Sequence, residues 1–597
     1  MRHIEHSKVR ITKGFWHEKQ IMAKDVTADA VYERFKETHR FSALECKWKE
    51  GDPHCPHIYW DSDVAKWVEG VSYLLAYEKN GRFEEIIESV IDNFIKNQDE
   101  EGYFNSHFLV TEKDKRFQDR NNHELYCLGH WIEAAVAYYN ATGRRRFLDA
   151  VAKYADYVER VFRYKKGSAS FVTPGHPELE LALVKLYETT GEKRYLELAE
   201  FFIYEHGRHP EERNFIGDYN QDMMPLTERT EIDGHSVRAL YLLSAMIDVA
   251  ERNGDKALTD ACRRLMDNCI NKRMYVTGGV GSTKVGEAFT LDYHLPNREA
   301  YAETCAAISL VFAAERMMKL DENAKYADII ERVLYNGALS GIGTDGRSFF
   351  YVNPLEIDLD FNGVFKFTEH KKQYPITQRV GVFFCSCCPP NILRLLASVS
   401  RYAVAENDST VFINQFMNIE SEGVSIDTLY PNENTVRITY KRRDKALAVR
   451  IPEWCKSYTL DAEHEVRNGY AYIKEDKDEI TLTLDMPVRF IAPNRRTHDN
   501  SGRIAIMRGP VVYCAEGVDN GADIQSVIID TKATAKVTMG EFLLPSVTLE
   551  GEIPKATDNL YTELSAVEYE RTEIKLIPYY AFANRGESDM AVWLLHK

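Results

Sequence analysis

The chain has 597 residues, a formal net charge of −17 and a sequence pI near 5.6. No Lys/Arg run or basic patch stands out, which excludes nucleic acid and anionic membrane surfaces as expected partners. Hydrophobic residues make up 44%, mean hydropathy is −0.40 and no apolar stretch reaches the roughly 18 residues of a membrane span, so a soluble chain with ample core is expected.

Residues 1–19 lack an apolar signal core, and the alternating Val9 and Ile11 predict a strand that joins a sheet built later in the chain. The 11 cysteines are odd in number and show no framework spacing, which points to the reducing cytosol and a cytoplasmic protein.

Residues 20–404 read as helix after helix. Val64, Trp67, Val68, Val71, Leu74 and Leu75 fall at helical spacing between Asp63 and Tyr77. Tyr139-Asn140-Ala141-Thr142-Gly143-Arg144-Arg145-Arg146-Phe147-Leu148 recurs 48 residues on as Tyr187-Glu188-Thr189-Thr190-Gly191-Glu192-Lys193-Arg194-Tyr195-Leu196. Weaker copies surround Gly81 and Gly254, and each glycine is read as closing one helix before the next opens. Stacked helix pairs form an open superhelix or close into an (α/α)6 barrel. The segments Gln98–Asn105 and Thr277–Ser282, rich in glycine, acids and aromatics, suit loops around one mouth and favour closure.

From 405 to 597 the period changes to two, as in Thr410–Asn414, Thr435–Tyr440 and Glu479–Leu484, with a further strand expected over Arg508–Tyr513. This region is expected to be a β-sandwich that supports the barrel and serves assembly, a homodimer being open.

The chemistry concentrates in Phe383-Phe384-Cys385-Ser386-Cys387-Cys388-Pro389-Pro390-Asn391. Buried inert thiols are the bland reading. Two adjacent thiolates instead call for a cation, and Zn²⁺ with thiolate and carboxylate ligands is the usual solution. Glu303 and Cys305 are candidates for the remaining ligands, provided the backbone there is not smoothly helical. No C-x-x-C pair exists, so a structural zinc ribbon is not indicated.

Other polar residues read as pocket candidates. Asp63 is equally a helix N-cap or a substrate contact. His123, His176 and His235 each stand at a helix start, and three such residues on a toroid would converge at one end as a sugar pocket requires. Glu287 follows a glycine-rich loop, and Glu331 lies on a helix with Tyr335 rather than a lysine four residues on. A glycosidase needs a proton donor and, for retention, a nucleophile, but spacing alone does not say which carboxylate is the acid.

Cys387-Cys388-Pro389-Pro390-Asn391, Glu303-x-Cys305, Gly286-Glu287-x-Phe289, Trp60-Asp61-Ser62-Asp63 with Lys66-Trp67, and Phe349–Glu356 together resemble glycoside hydrolase family 127, the non-reducing-end β-L-arabinofuranosidases. The resemblance implies an (α/α)6 barrel followed by β-sandwich domains, and a Zn²⁺ held by Glu303, Cys305, Cys387 and Cys388. It further implies Cys387 as nucleophile and Glu287 as acid/base. His123, His176, His235 and Glu331 would contact a small oligosaccharide substrate. Cys385 has no role in that pattern. A hydrolase of another pectin-derived pentose, an epimerase or lyase on the same barrel, and a non-catalytic carbohydrate-binding toroid with a structural zinc remain the alternatives.

Overall fold

Six helices buried on nearly every side form an inner layer: Trp60–Leu75, Glu124–Thr142, Leu179–Thr190, Ser236–Asn253, Thr304–Leu320 and Cys388–Ala397. Each packs on the next, and the last returns to the first, so the layer is a closed ring. The computed structural model describes residues 1–167, 169–213, 218–361, 374–521 and 523–597.

Between successive inner helices the chain runs back along outer ones, among them Arg146–Phe162, Lys193–Glu205, Lys256–Asn268 and Lys325–Val333. The two layers differ in patterning for a physical reason. Arg146–Phe162 buries one stripe, with Phe147, Val151, Tyr154 and Val158 among its residues, and leaves its charges in water. Trp60–Leu75 buries Val64, Trp67 and Val71 together with Asp61, Asp63, Lys66 and Glu69. Such a helix is covered on its apolar side and turns polar groups toward the ring axis.

Gly143, Gly191 and Gly254 adopt left-handed φ values of 73°, 76° and 63° just past inner helices, the conformation that lets a helix end without a Cβ clash. Gly81 departs from the expectation. It is the first residue of Gly81–Asn97, and Asn80 caps that helix by accepting the Phe83 amide at 3.2 Å.

Among the described residues the strands, most of them after the ring, form two six-stranded sheets and a sheet of ten strands. The expected N-terminal strand is Arg10–Lys13, which pairs with Asn418–Ser421, while Arg2–His3 pairs with Val404–Glu406. The six-stranded sheets end at Leu484, and the ten-stranded one starts at Val488 apart from the short strand Glu356–Ile357, so the β region is two units rather than one. Alternation looks the same in both and leaves that boundary unmarked in the sequence. Gly509-Pro510 is the turn between strands Arg503–Arg508 and Val511–Glu516, not a strand start. Among the described residues no helix is long and apolar enough to cross a membrane.

Glu331 corrects one sequence expectation. It does not line the cavity that holds the three histidines. Its carboxylate accepts from Arg450 at 2.6 Å, Tyr430 at 2.7 Å and Trp454 at 3.2 Å, all from the β region. Arg450 is itself fully buried and also binds Asp328. An acid without a lysine one turn on is here half of a long-range buried pair that joins the ring to the sheets.

Candidate active site

One cavity is lined by Asp63, His123, His176, His235, Glu287, Glu303, Cys305 and Cys387, with Tyr126, Tyr351 and Cys385 also in its wall. Two inner helices deliver the sulfur-rich part with their N-termini. Glu303 is the extended residue entering Thr304–Leu320, and Cys305 lies in that helix's first turn. Cys387 immediately precedes Cys388–Ala397, whose first turn is started by Pro389 and Pro390. Positive helix ends favour thiolate over thiol. The break in helical backbone at Glu303 lets a Glu and a Cys two apart point at one spot.

Cys305 Sγ stands 3.5 Å from Cys387 Sγ and 3.3 Å from Cys388 Sγ, and the Cys387–Cys388 separation is 3.8 Å. Glu303 Oε1 is 3.7 and 3.9 Å from the sulfurs of Cys387 and Cys388. Sulfurs around a tetrahedral zinc stand about 3.7 Å apart. The donors are of the right type, and all four atoms lie within 4.8 Å of one another. Glu303 Oε2 is buried with no hydrogen-bond partner among the described residues. Burial, then the charge of Cys387, pushes the Glu303 carboxyl well above its ordinary range, and burial with the thiol contacts does the same to Cys388. Burial opposes ionisation of Cys305 too, but hydrogen bonds from Cys387 and Cys388 outweigh it and bring that thiol down to about 6. The four groups therefore cannot all be anionic unless a cation is shared among them, and the set fits a thiophilic divalent ion.

Glu287 comes from a strained turn in which Gly286 and Glu287 have φ values of 67° and 52°. Tyr301 donates to Oε1 at 2.6 Å, and His235 Nε2 meets Oε2 at 2.8 Å. His235 Nδ1 accepts the Val237 and Arg238 amides at its helix start, so the ring proton belongs on Nε2. Burial disfavours the carboxylate, but these two donors prevail and hold Glu287 at about 2.

The three histidine rings follow one another around the wall, His123 to His176 at 5.7 Å and His176 to His235 at 5.8 Å between centroids. Burial lowers His123 to about 3 and His176 well below the usual range, so both are neutral hydrogen-bonding groups. His176 Nδ1 donates to its neighbour Pro177 O at 2.9 Å, leaving Nε2 as an acceptor. Sequence reasoning missed Arg238, which laces the loops together by donating to Gly175 O at 2.6 Å, Asn220 Oδ1 at 2.9 Å and Asn121 Oδ1 at 3.3 Å. It stands three residues after His235 on the same helix, which was the available signal. Tyr301 and Tyr351 were missed similarly, each inside a motif already singled out. Asp63 lines the cavity, but its Oδ2 is bound to Arg40 Nε at 2.8 Å.

A closed helical ring with an acid and a thiol cluster in one cavity is an arrangement that a glycosidase can use. The matching family models are the GH127 β-L-arabinofuranosidase catalytic domain over residues 8–401, the GH127 middle domain over 408–486 and the family 127 C-terminal domain over 488–595. The chain belongs to glycoside hydrolase family 127. It is 36% identical over 591 residues to a non-reducing-end β-L-arabinofuranosidase of Bifidobacterium longum subsp. longum, covering 90% of this chain and 89% of that protein. The crystal structure of a GH127 β-L-arabinofuranosidase from Geobacillus stearothermophilus T6 matches with a TM-score of 0.91 and 36% identity, over 99% of this chain and 100% of that one. A second GH127 β-arabinofuranosidase structure gives 0.89 and 32%, over 100% and 98%.

Proposed function

We propose that the chain is a retaining β-L-arabinofuranosidase that removes β-L-arabinofuranose from the non-reducing end of small oligosaccharides. The closed ring of six inner helices is read as an (α/α)6 barrel, and the two six-stranded sheets as a β-sandwich. The observation that carries the reading is the meeting, in one cavity, of the Cys387 thiol among Glu303, Cys305 and Cys388 with a Glu287 held by His235 and Tyr301. The unpaired state of all eleven cysteines supports a cytosolic setting.

Glu303, Cys305, Cys387 and Cys388 would hold a zinc ion, and its contribution when bound is to keep the Cys387 sulfur ionised at neutral pH. The Cys387 sulfur attacks the anomeric carbon as the bond from that carbon to the leaving oxygen breaks. Glu287, which takes up a proton from solvent when substrate enters beside its pair with His235, protonates the leaving oxygen. His123 and His176, neutral and fixed in tautomer at His176, orient the sugar hydroxyls. Glu287, ionised again, then removes a proton from water, whose oxygen displaces the sulfur and returns the sugar with its starting anomeric configuration.

An aryl β-L-arabinofuranoside turned over in the presence of methanol tests this reading. Release of the aglycone with the β-methyl glycoside as transfer product is expected. An inverted product, or no release from that sugar while another pentoside is cleaved, overturns it.

A further inference from the structure

Beside the thiol cluster lies a charge that the mechanism does not use. Lys66 is fully buried on the first inner helix, Trp60–Leu75. Its ammonium donates to Tyr126 Oη at 2.8 Å and lies 3.4 Å from Ser62 Oγ. Among the described residues no carboxylate pairs with it within 4.0 Å. Three buried acids nearby already have cationic partners, and Glu178 faces His130 Nδ1 at 3.1 Å. Asp63 is taken by Arg40, Glu69 by Arg394, and Glu133 by Arg394 and Lys185. Asp61 accepts the Ser106 amide at 3.0 Å. Arg238, another buried cation on the cavity wall, acts on Glu287.

A buried ammonium without counter-charge is heavily penalised, so its position needs an anion. Four anionic donors around one divalent ion leave two negative charges at a largely buried site. Both partners of the ammonium, Ser62 and Tyr126, line the cavity that contains Cys305 and Cys387, two of those donors. An ammonium has donors only, so the Tyr126 oxygen must accept from Lys66 and its own hydrogen must point elsewhere. That arrangement extends the positive end of a dipole from Lys66 toward the pocket.

We propose that Lys66, acting through Tyr126, is the counter-cation of the metal centre formed by Glu303, Cys305, Cys387 and Cys388. It is a positioning residue and touches no reacting atom. The inference rests on the metal reading above. If the unmodified chain binds no zinc, both fall; if it binds zinc and the variants below behave like it, only this one falls.

The test compares K66M and K66Q, which are neutral, with K66R, which keeps the charge. Zinc affinity is read by competition with a chromophoric chelator, and melting temperature is read with and without zinc. The neutral variants should bind zinc tenfold or more weakly, while K66R should stay within about threefold of the unmodified chain. Their melting temperature should fall in the zinc-loaded form and stay level or rise in the apoprotein, where the buried charge has lost its partner. Neutral variants that fold only without zinc would be the extreme of the same result. Unchanged zinc affinity, or an equal loss of stability with and without zinc, overturns the proposal, because a merely structural lysine would not distinguish the two forms.

Discussion

Asp63 and Arg40 form a buried ion pair, Oδ2 to Nε at 2.8 Å, and Arg40 passes the constraint on by donating Nη2 to the carbonyls of Phe384 at 2.9 Å and Phe383 at 3.2 Å. Those carbonyls begin the segment that ends in Cys387. Arg40→Met should lower kcat tenfold or more and destabilise the fold by about 3–5 kcal/mol, the usual penalty for leaving one partner of a buried pair alone. Denaturant unfolding and steady-state kinetics check this together. A folded variant with unchanged kcat would show that the segment needs no such tether.

Cys387→Ser should nearly abolish turnover on every substrate, since a serine hydroxyl remains protonated and is a weak nucleophile at neutral pH. Glu287→Gln should lose far more activity on sugar leaving groups than on activated aryl ones, which need little protonation. Equal losses on both would remove Glu287 from the acid role.

The purified chain should carry close to one zinc, by elemental analysis, and lose activity on prolonged chelation. Cys305→Ala and Cys388→Ala should each lower occupancy. Full activity in a zinc-free sample would end the metal reading.

Acid titration should expose the hydrogen bonds around Glu287. Its folded-state value of about 2 lies below the ordinary 4.5, so its contribution to stability is complete above 4.5 and disappears as pH falls toward 2. The melting temperature of the native chain should therefore exceed that of Glu287→Gln near neutrality, and the gap should close across that acid window. A gap that widens there would mean the carboxyl is protonated in the resting pocket.

Glu331→Gln should destabilise the chain through Arg450 and leave KM within about twofold, as expected of a group outside the cavity. A large rise in KM with normal stability would return Glu331 to the sugar.

Adjacent thiols could be singled out from the sequence because packing rarely accounts for them, and the histidines only as a set of three, since a lone histidine at a helix start is usually a cap or a surface residue. Arg238, Lys66 and Arg40 could not. On an inner helix, a polar stripe facing the ring axis has the same period as one facing water, and only closure of the ring tells them apart. Glu331 misled for a related reason: its partner Arg450 is 119 residues away, beyond any local rule. The alternation after residue 405 announced strands correctly, but it carries no mark of where one sheet system ends and the next begins.

The pairing of Arg10–Lys13 with Asn418–Ser421 has a consequence for biosynthesis. At ribosomal rates of roughly 5–20 residues per second, the Arg10–Lys13 strand waits roughly 20–80 s before its partner exists. During that interval it is an unpaired edge carrying Ile11, while the helical ring assembles around it. Docking of that strand is then a late event that ties the start of the chain to sheets made long afterwards, and trimming it should slow the final step of maturation more than it disturbs the ring.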